Sequence, residues 1–350
     1  MIVHIDHLLS RLGQAHSTEL FSGEALAHVS AIARMLPMIS GGLALECRLE
    51  EGASRVDFMV CCMRSDGGPK ALAEGLECTR ERLPGSLWDG VRAFSREWLS
   101  AQSPLSRVPI FWLEYDVVGA ISEVPRPFPF VCIQEDLSSG PSARRGSHRQ
   151  QVEASRELAW HALEVLRGRQ VLPAVRHTVS RCFELLPESA EVEHVAPLDC
   201  RGSEAVRLVI GLPREQVGTY LEGIGWPGPR SQVEVLLRDW LPHLGYVEIN
   251  VDAGEDGIAP TIGLSLPLPA DTNVSWVHEV LQRMVEQGVC TPGKRDAVLA
   301  WSGSERVVLE GDRWPSKLCR TIGLKLVCRP NEPITVKTYP YFECRFSLWG

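Results

Sequence analysis

The sequence predicts an α+β fold: a ten-stranded antiparallel barrel, or a strongly curved sheet, ringed by helices. Three observations predict it. Five pairs of alternating runs recur along the chain, amphipathic helical stripes fall between the pairs, and the runs share motifs in a preserved order. Hairpins joined through helices favour an antiparallel sheet covered on one face. Ten strands leave two open edges unless the sheet closes, and closure removes both. An open two-lobed α+β sheet is the alternative.

The elements follow in chain order. A helix over 24–36 leads to a first hairpin at about 43–62. The stripe Leu87, Val91, Phe94 and Trp98 follows Ser86, with Asp89 in the place of a capping partner, and precedes a hairpin at 108–134. Leu158, Ala162, Val165 and Leu166 form the next stripe; a helix over 174–186 and a hairpin at 194–211 come after it. Val233, Leu236, Leu237, Trp240 and Leu241 share one helical face behind the capping box Ser231-Gln-Val-Glu234, ahead of the hairpin at 245–266. Val274, Val277, Leu281 and Met284 make the last stripe before the hairpin at 320–340.

Internal repeats tie these elements together. Gly42-Leu-Ala-Leu-Glu-Cys-Arg48 matches Gly323-Leu-Lys-Leu-Val-Cys-Arg329, and Leu198-Asp-Cys-Arg201 is a shorter relative. Arg96-Glu-Trp-Leu99 recurs as Arg238-Asp-Trp-Leu241, and Trp112-Leu-Glu-Tyr-Asp-Val117 as Tyr246-Val-Glu-Ile-Asn-Val251. Residues 1–350 therefore read as one domain of units near 24–62, 86–134, 150–211, 229–266 and 274–342. The polar, locally basic segment 138–149 reads as a mobile loop.

Composition narrows the function classes. The net charge of −8 argues against nucleic acid as a partner, and no run approaches the roughly 18 apolar residues of a membrane span. The N-terminus lacks the basic start and apolar stretch of a secretory signal, so a cytoplasmic location is expected. The cysteine count of 11 is odd and contains no Cys-x-x-Cys, which favours reduced, buried thiols over a disulfide framework.

Alternation separates the two faces of each strand. Phe111, Leu113, Tyr115 and Val117 form an apolar row that should pack on the helices; Trp112, Glu114 and Asp116 then face the barrel interior, as do Tyr246, Glu248 and Asn250 of the repeat. By the same rule Glu46, Arg48, Arg55 and Asp57 point inward, with Asp199, Arg201 and Arg207 from the third hairpin. Lys325, Arg329, Lys337 and Tyr339 come from the fifth. Cys47, Cys200 and Cys328 fall on the helix side. A barrel wider than eight strands has room inside for a ligand.

Helix-separated hairpins repeated five times resemble the barrel of aromatic prenyltransferases, including indole and cyanobactin-peptide enzymes. The stretch Tyr246–Pro267 with its following helix, and the Lys-x-Tyr of Val336-Lys-Thr-Tyr339, carry the likeness over roughly 24–342. The resemblance implies Arg, Lys and Tyr side chains on successive strands cradling a prenyl diphosphate. Here only Arg207, Lys337 and Tyr339 keep that pattern. Gly263, Ser265, Cys132 and Gln134 stand where cations and tyrosines are expected, and Asp57 takes the place equivalent to Arg207 and Lys337. Glu114, Glu248 and Asp57 would repel a diphosphate. In size and general character the chain is also similar to the paralogous peptide-binding proteins of crocagin-type pathways, which act on a ribosomally made precursor during pyrroloindoline formation.

Three functions follow from these readings. The first is a peptide-binding protein that guides or assists modification of a precursor peptide, with pathway enzymes as further partners and no cofactor. Its binding residues would be Glu46, Arg48, Asp57, Trp112, Glu114, Arg207, Tyr246, Glu248, Lys337 and Tyr339. The second is an active prenyltransferase on an indole or peptide. The third is an iron-dependent oxidase using the His-x-Asp pair of His4 and Asp6. Glu114 and Glu248 could form an acid/base pair, or could be an echo of repeat ancestry.

Overall fold

The structure, a computed structural model, describes residues 2–12, 18–53, 55–117, 124–134, 147–269, 272, 274–308 and 315–346. The chain opens with β1 (Ile2–Val3), α1 (Ile5–Leu12), α2 (Gly23–Ala33) and β2 (Ile39–Ser40), and β1 pairs with β2 in a small separate sheet. The first hairpin is β3 (Gly42–Arg48) and β4 (Val56–Met63). After α3 (Gly68–Cys78) and α4 (Ser86–Leu99) comes the second, β5 (Ile110–Tyr115) and β6 (Phe128–Cys132). Helices α5 (His148–Arg167) and α6 (Pro173–Glu184) precede β7 (Glu191–Pro197) and β8 (Val206–Pro213). Then α7 (Val217–Ile224) and α8 (Arg230–Val235) lead to β9 (Tyr246–Gly254) and β10 (Gly257–Pro267). Helices α9 (Ser275–Glu286) and α10 (Pro292–Trp301) and strand β11 (Gly303–Val307) precede β12 (Ser316–Cys328) and β13 (Thr335–Phe346).

All five expected hairpins form, and they close. The strand order β10-β9-β8-β7-β6-β5-β4-β3-β13-β12 is completed by pairing β10 with β12, from Ile262 opposite Cys328 to Pro267 opposite Gly323. The result is a ten-stranded antiparallel barrel, with β11 added to the extended part of β12. Because every hairpin runs in the same sense, all five turns lie at one end of the barrel and the helical connections leave from the other.

The core sits between barrel and helices. Phe111, Leu113 and Tyr115 are buried with Trp88, Phe94 and Trp98 of α4, and Val117 packs partly buried against them. The rings of Phe94 and Phe111 stack at 4.3 Å between centroids, and Phe58 stacks on Tyr115 at 4.9 Å. Packing is close enough that a methyl on Gly90 of α4 would meet the Leu166 carbonyl oxygen of α5 at 1.9 Å. Cys47 and Cys328 belong to this core, as expected. All eleven cysteines are free, Cys78 exposed and Cys200 and Cys319 half-buried.

Three local expectations are corrected. Helix α4 begins at Ser86 with Gly85 as its N-cap, so Ser86 is one residue too late to cap and no side chain does. Helix α8 is capped by Pro229 without a side-chain bond, so Ser231 and Glu234 form no capping box. The apolar stripe from Val233 to Leu241 is buried, but its second half winds into a π-helical turn at Leu236–Trp240 instead of continuing with α-helical period. Of the segment 138–149, residues 138–146 lie outside the described residues, and Ser147 caps α5 through the Gln150 N–H. No helix among the described residues is long and apolar enough to cross a membrane.

Phe111→Ala should cost about 3–5 kcal/mol of unfolding free energy, the usual loss for emptying a fully buried aromatic site. Urea titration measures it. A loss below about 1 kcal/mol would mean the apolar row is not what holds α4 to the barrel.

Candidate functional site

Residues directly opposite each other on neighbouring strands share a face, so the register identifies the inward row. Glu46 stands opposite Asp57, Met59 opposite Glu114, and Glu114 opposite Phe128. Ala196 faces Arg207, Arg207 faces Asp252, and Gly211 faces Glu248. Ser265 links Glu248 to Lys325, Lys325 stands opposite Lys337, and Lys337 opposite Arg48. The interior is therefore charged on nearly every strand, and burial forces those charges to find partners.

Glu46 is the centre of the first cluster. It is 5% exposed; Lys337 donates to one carboxylate oxygen, and the Tyr339 hydroxyl donates to the other at 2.6 Å. Burial alone raises the pKa of Glu46, but the Lys337 charge, the two hydrogen bonds and Lys325 outweigh it and hold the carboxyl below its ordinary value. Burial and the Glu46 charge in turn keep the Tyr339 hydroxyl protonated far into the alkaline range.

The second cluster closes the turn end. Arg201 donates to Glu114 at 2.7 Å and to Asp116 at 3.0 and 3.1 Å. Its guanidinium also lies 4.4 Å from the centroid of the Phe128 ring. Arg207 grips Asp252 with two bonds of 2.7 and 2.9 Å and approaches the same ring at 5.6 Å. Arg55 donates to Asp57 at 2.9 Å, and Asp57 also accepts the Val117 N–H at 2.7 Å. Burial raises the pKa of both Glu114 and Asp57, and the neighbouring Glu46 charge adds to each.

Lys325 is the exception. Its Nζ donates to the Asn250 side-chain oxygen at 2.6 Å, and no ion pair joins it to a carboxylate among the described residues. Burial, then the charges of Arg207 and Lys337, lower its pKa to about 8. Gly263 makes room for it: a β-carbon there would meet the Lys325 Cε at 2.5 Å. The glycine that reads in sequence as a lost cation is thus the seat of a cation delivered from the adjacent strand. Alternation alone placed Lys325 inside; only the β10–β12 register makes it central.

The remaining expected site residues are spread around the interior. Trp112 meets Tyr341 edge-on with centroids 5.9 Å apart. Glu248 is half-buried, and burial raises its pKa against the pull of Lys325 and Ser265. Glu114 and Glu248 lie on strands four places apart in the ring and are joined by no bond. Arg48 is half-buried and opposite Lys337. Tyr246 stands at the helix-connection rim, 40% exposed.

Two face assignments fail at residues 199–201, that of Asp199 to the interior and that of Cys200 to the helix side, because these residues form a 3-10 turn instead of continuing β7. The turn sends Arg201 inward but swings Asp199 out to Arg167 and Arg169, at 2.8 and 3.1 Å. Cys200 packs beside Phe128, Ala196 and Leu198 instead of against the helices. At the N-terminus, His4 Nδ1 and an Asp6 carboxylate oxygen bond to each other at 2.5 Å. No group of three His, Cys, Asp or Glu side chains among the described residues could hold a metal ion. That arrangement gives no ligand set to the oxidase reading.

No protein-family model matches the chain, and no curated protein matches it. Among solved structures it is similar to the apo form of the prenyltransferase PriB, with a TM-score of 0.56 and 13% identity, covering 97% of this chain and 96% of that one. The fold is therefore a prenyltransferase-like barrel over nearly the whole length of both proteins. At this identity the likeness extends to fold alone.

The state of Lys325 has a measurable sign. Its proton is held less tightly in the folded than in the unfolded chain, so between about pH 8 and the ordinary value of 10.5 the unfolded chain binds more protons and stability rises with pH. Relative to wild type, Lys325→Met should gain stability most below pH 8, with the gain shrinking as pH approaches 10.5. Denaturant titrations across that range measure it; a pH-independent difference contradicts the assignment.

Proposed function

We propose that the barrel interior binds a ribosomally made precursor peptide and presents it for modification or cyclisation by other enzymes of a peptide natural-product pathway. One observation carries this reading. Four of the interior cations that could face a diphosphate are already committed, Lys337 to Glu46, Arg207 to Asp252, Arg201 to Glu114 and Asp116, and Arg55 to Asp57, which leaves Lys325 on the neutral Asn250. A diphosphate bound among them would sit against three buried carboxylates, Glu46, Asp57 and Glu114. A peptide suits such a lining better. Its amides supply donors and acceptors in equal number, its side chains can exchange partners with preformed ion pairs, and Phe128, Phe130 and Trp112 offer aromatic contact.

A second reading, prenyl transfer to an indole or peptide, is supported by the convergence of Arg207, Lys325, Lys337 and Tyr339 on neighbouring or nearby strands of a prenyltransferase-like barrel. One experiment separates the two. Peptides selected from a displayed random library on immobilised wild-type protein are remeasured by calorimetry, beside dimethylallyl diphosphate. The peptide reading expects micromolar peptide affinity, no saturable heat with the diphosphate, and at least a tenfold loss on Glu248→Lys. Tight diphosphate binding with transfer of its prenyl group to tryptophan or a tryptophan peptide would establish the second reading instead. Peptide affinity unchanged by Glu248→Lys would move the peptide site out of the interior.

A further inference from the structure

We propose that Lys325 is a nucleophile, and that the barrel interior captures an aldehyde carried on an aromatic body as an imine on the Lys325 Nζ. This activity goes beyond peptide binding and does not rest on it.

The cation inventory singles this residue out. Of the 36 cationic residues only five are lysines: Lys70, Lys294, Lys317, Lys325 and Lys337. Lys70 and Lys317 are exposed. Lys294 is buried, and its Nζ donates to the carbonyls of Arg48, Glu50 and Ala53 at 2.8, 2.8 and 3.1 Å, which ties α10 to the turn of the first hairpin. Lys337 is ion-paired with Glu46. Lys325 has one hydrogen-bond partner among the described residues, the neutral Asn250 oxygen at 2.6 Å, so most of the donor capacity of its Nζ is uncommitted. Beside its other carboxylates the interior places arginines, at 55, 201 and 207. An arginine stays protonated, whereas a lysine can give up its proton and attack a carbonyl.

The surroundings keep the amine reachable and favour its neutral form. Lys325 is half-buried, and the nearby Arg207 and Lys337 side chains are 19% and 20% exposed, so accessible space runs along this wall. Gly263 leaves the lysine stem its seat, since a β-carbon there would meet Cε at 2.5 Å. Burial and the charges of Arg207 and Lys337 bring the pKa to about 8, so at that pH about half the side chains are free amine, against about 0.3% for an ordinary lysine.

An acid shares the row. Ser265 lies directly opposite both Lys325 on β12 and Glu248 on β9. The Asn250 amide donates to the Ser265 oxygen at 3.3 Å and the Ser265 hydroxyl donates to Glu248, so Lys325, Asn250, Ser265 and Glu248 form one hydrogen-bonded line. Burial makes the half-buried Glu248 carboxyl easier to protonate than usual. The free amine adds to the aldehyde carbon. The carbonyl oxygen then leaves as water, with one proton from Nζ and one from Glu248, and a protonated imine and a Glu248 carboxylate remain. Half-buried Phe130 and Trp112 face each other on β6 and β5, and β6 lies five places from β12 either way round the ring. They give an aromatic body a wall opposite the lysine.

Reductive trapping tests the proposal on the full chain. The folded protein is incubated at pH 8 with benzaldehyde and cyanoborohydride, which reduces an imine to a stable benzylamine, and peptide mass spectrometry locates the labelled lysines. Lys325 should be labelled at least tenfold faster than Lys70 and Lys317, at a rate that saturates with benzaldehyde, and should lose that advantage in urea. Lys325→Arg keeps the charge and should abolish this label alone. Glu248→Gln, confirmed as folded by circular dichroism, should slow labelling of Lys325 at least tenfold and leave that of Lys70 unchanged. The proposal is overturned if Lys325 in folded wild type is labelled no faster than Lys70 and Lys317, or if its rate does not saturate. An unchanged rate at Lys325 in folded Glu248→Gln overturns the role given to Glu248.

Discussion

The bond from Lys337 and Tyr339 to the carboxylate of Glu46 shows the constraint on which the rest of the interior depends. Closing ten strands removes every barrel edge but encloses one whole row of side chains. In this chain that row is charged. A charge inside a barrel cannot rely on bulk water, so each must be partnered, and removing one partner from a buried pair costs about 3–5 kcal/mol. The ion pairs inside the barrel are thus part of its architecture as well as its binding surface.

The same constraint links the fold to its use. Arg207, Lys325 and Lys337 come from three different strands, near enough that the first and last help lower the pKa of Lys325. Carboxylates on the intervening strands then decide what the cations can do. Three of the four ion-paired cations are satisfied by the buried carboxylates Glu46, Asp57 and Glu114, and the fourth, Arg207, by half-buried Asp252. Lys325 remains with a neutral partner, Asn250, and with a pKa brought down to about 8. The interior is polar and nearly charge-balanced, and that lining is what supports the proposed mixed-charge ligand over a concentrated anion.

Much of the barrel was legible because a strand repeats every two residues and a helix every 3.6, and both periods survive in short runs. Phe111, Leu113 and Tyr115 could be assigned to the helix side from alternation alone, and five hairpins from the repeats. Legibility stopped where the period breaks. Asp199, Cys200 and Arg201 look like a strand end by repeat, yet the 3-10 turn there sends one side chain in and another out. Ser86 has the residue type of a cap, but it is already the first helical residue, and the cap position falls on Gly85, with φ of 102°. Lys325 and Gly263 could not be joined from sequence, since their contact depends on the register across the closing strands, 62 residues apart and set by the whole ring.

The central claim is that carboxylates, not a missing fold or missing cations, keep this barrel from holding a diphosphate. Calorimetric titration with inorganic pyrophosphate tests it, comparing wild type with the Glu46→Gln/Glu114→Gln double variant after circular dichroism confirms that both are folded. The account predicts no saturable binding to wild type at millimolar pyrophosphate and at least a tenfold gain in the variant, whose amides keep the side-chain size but remove two buried negative charges. Micromolar binding to wild type, or a folded variant that gains nothing, would contradict it.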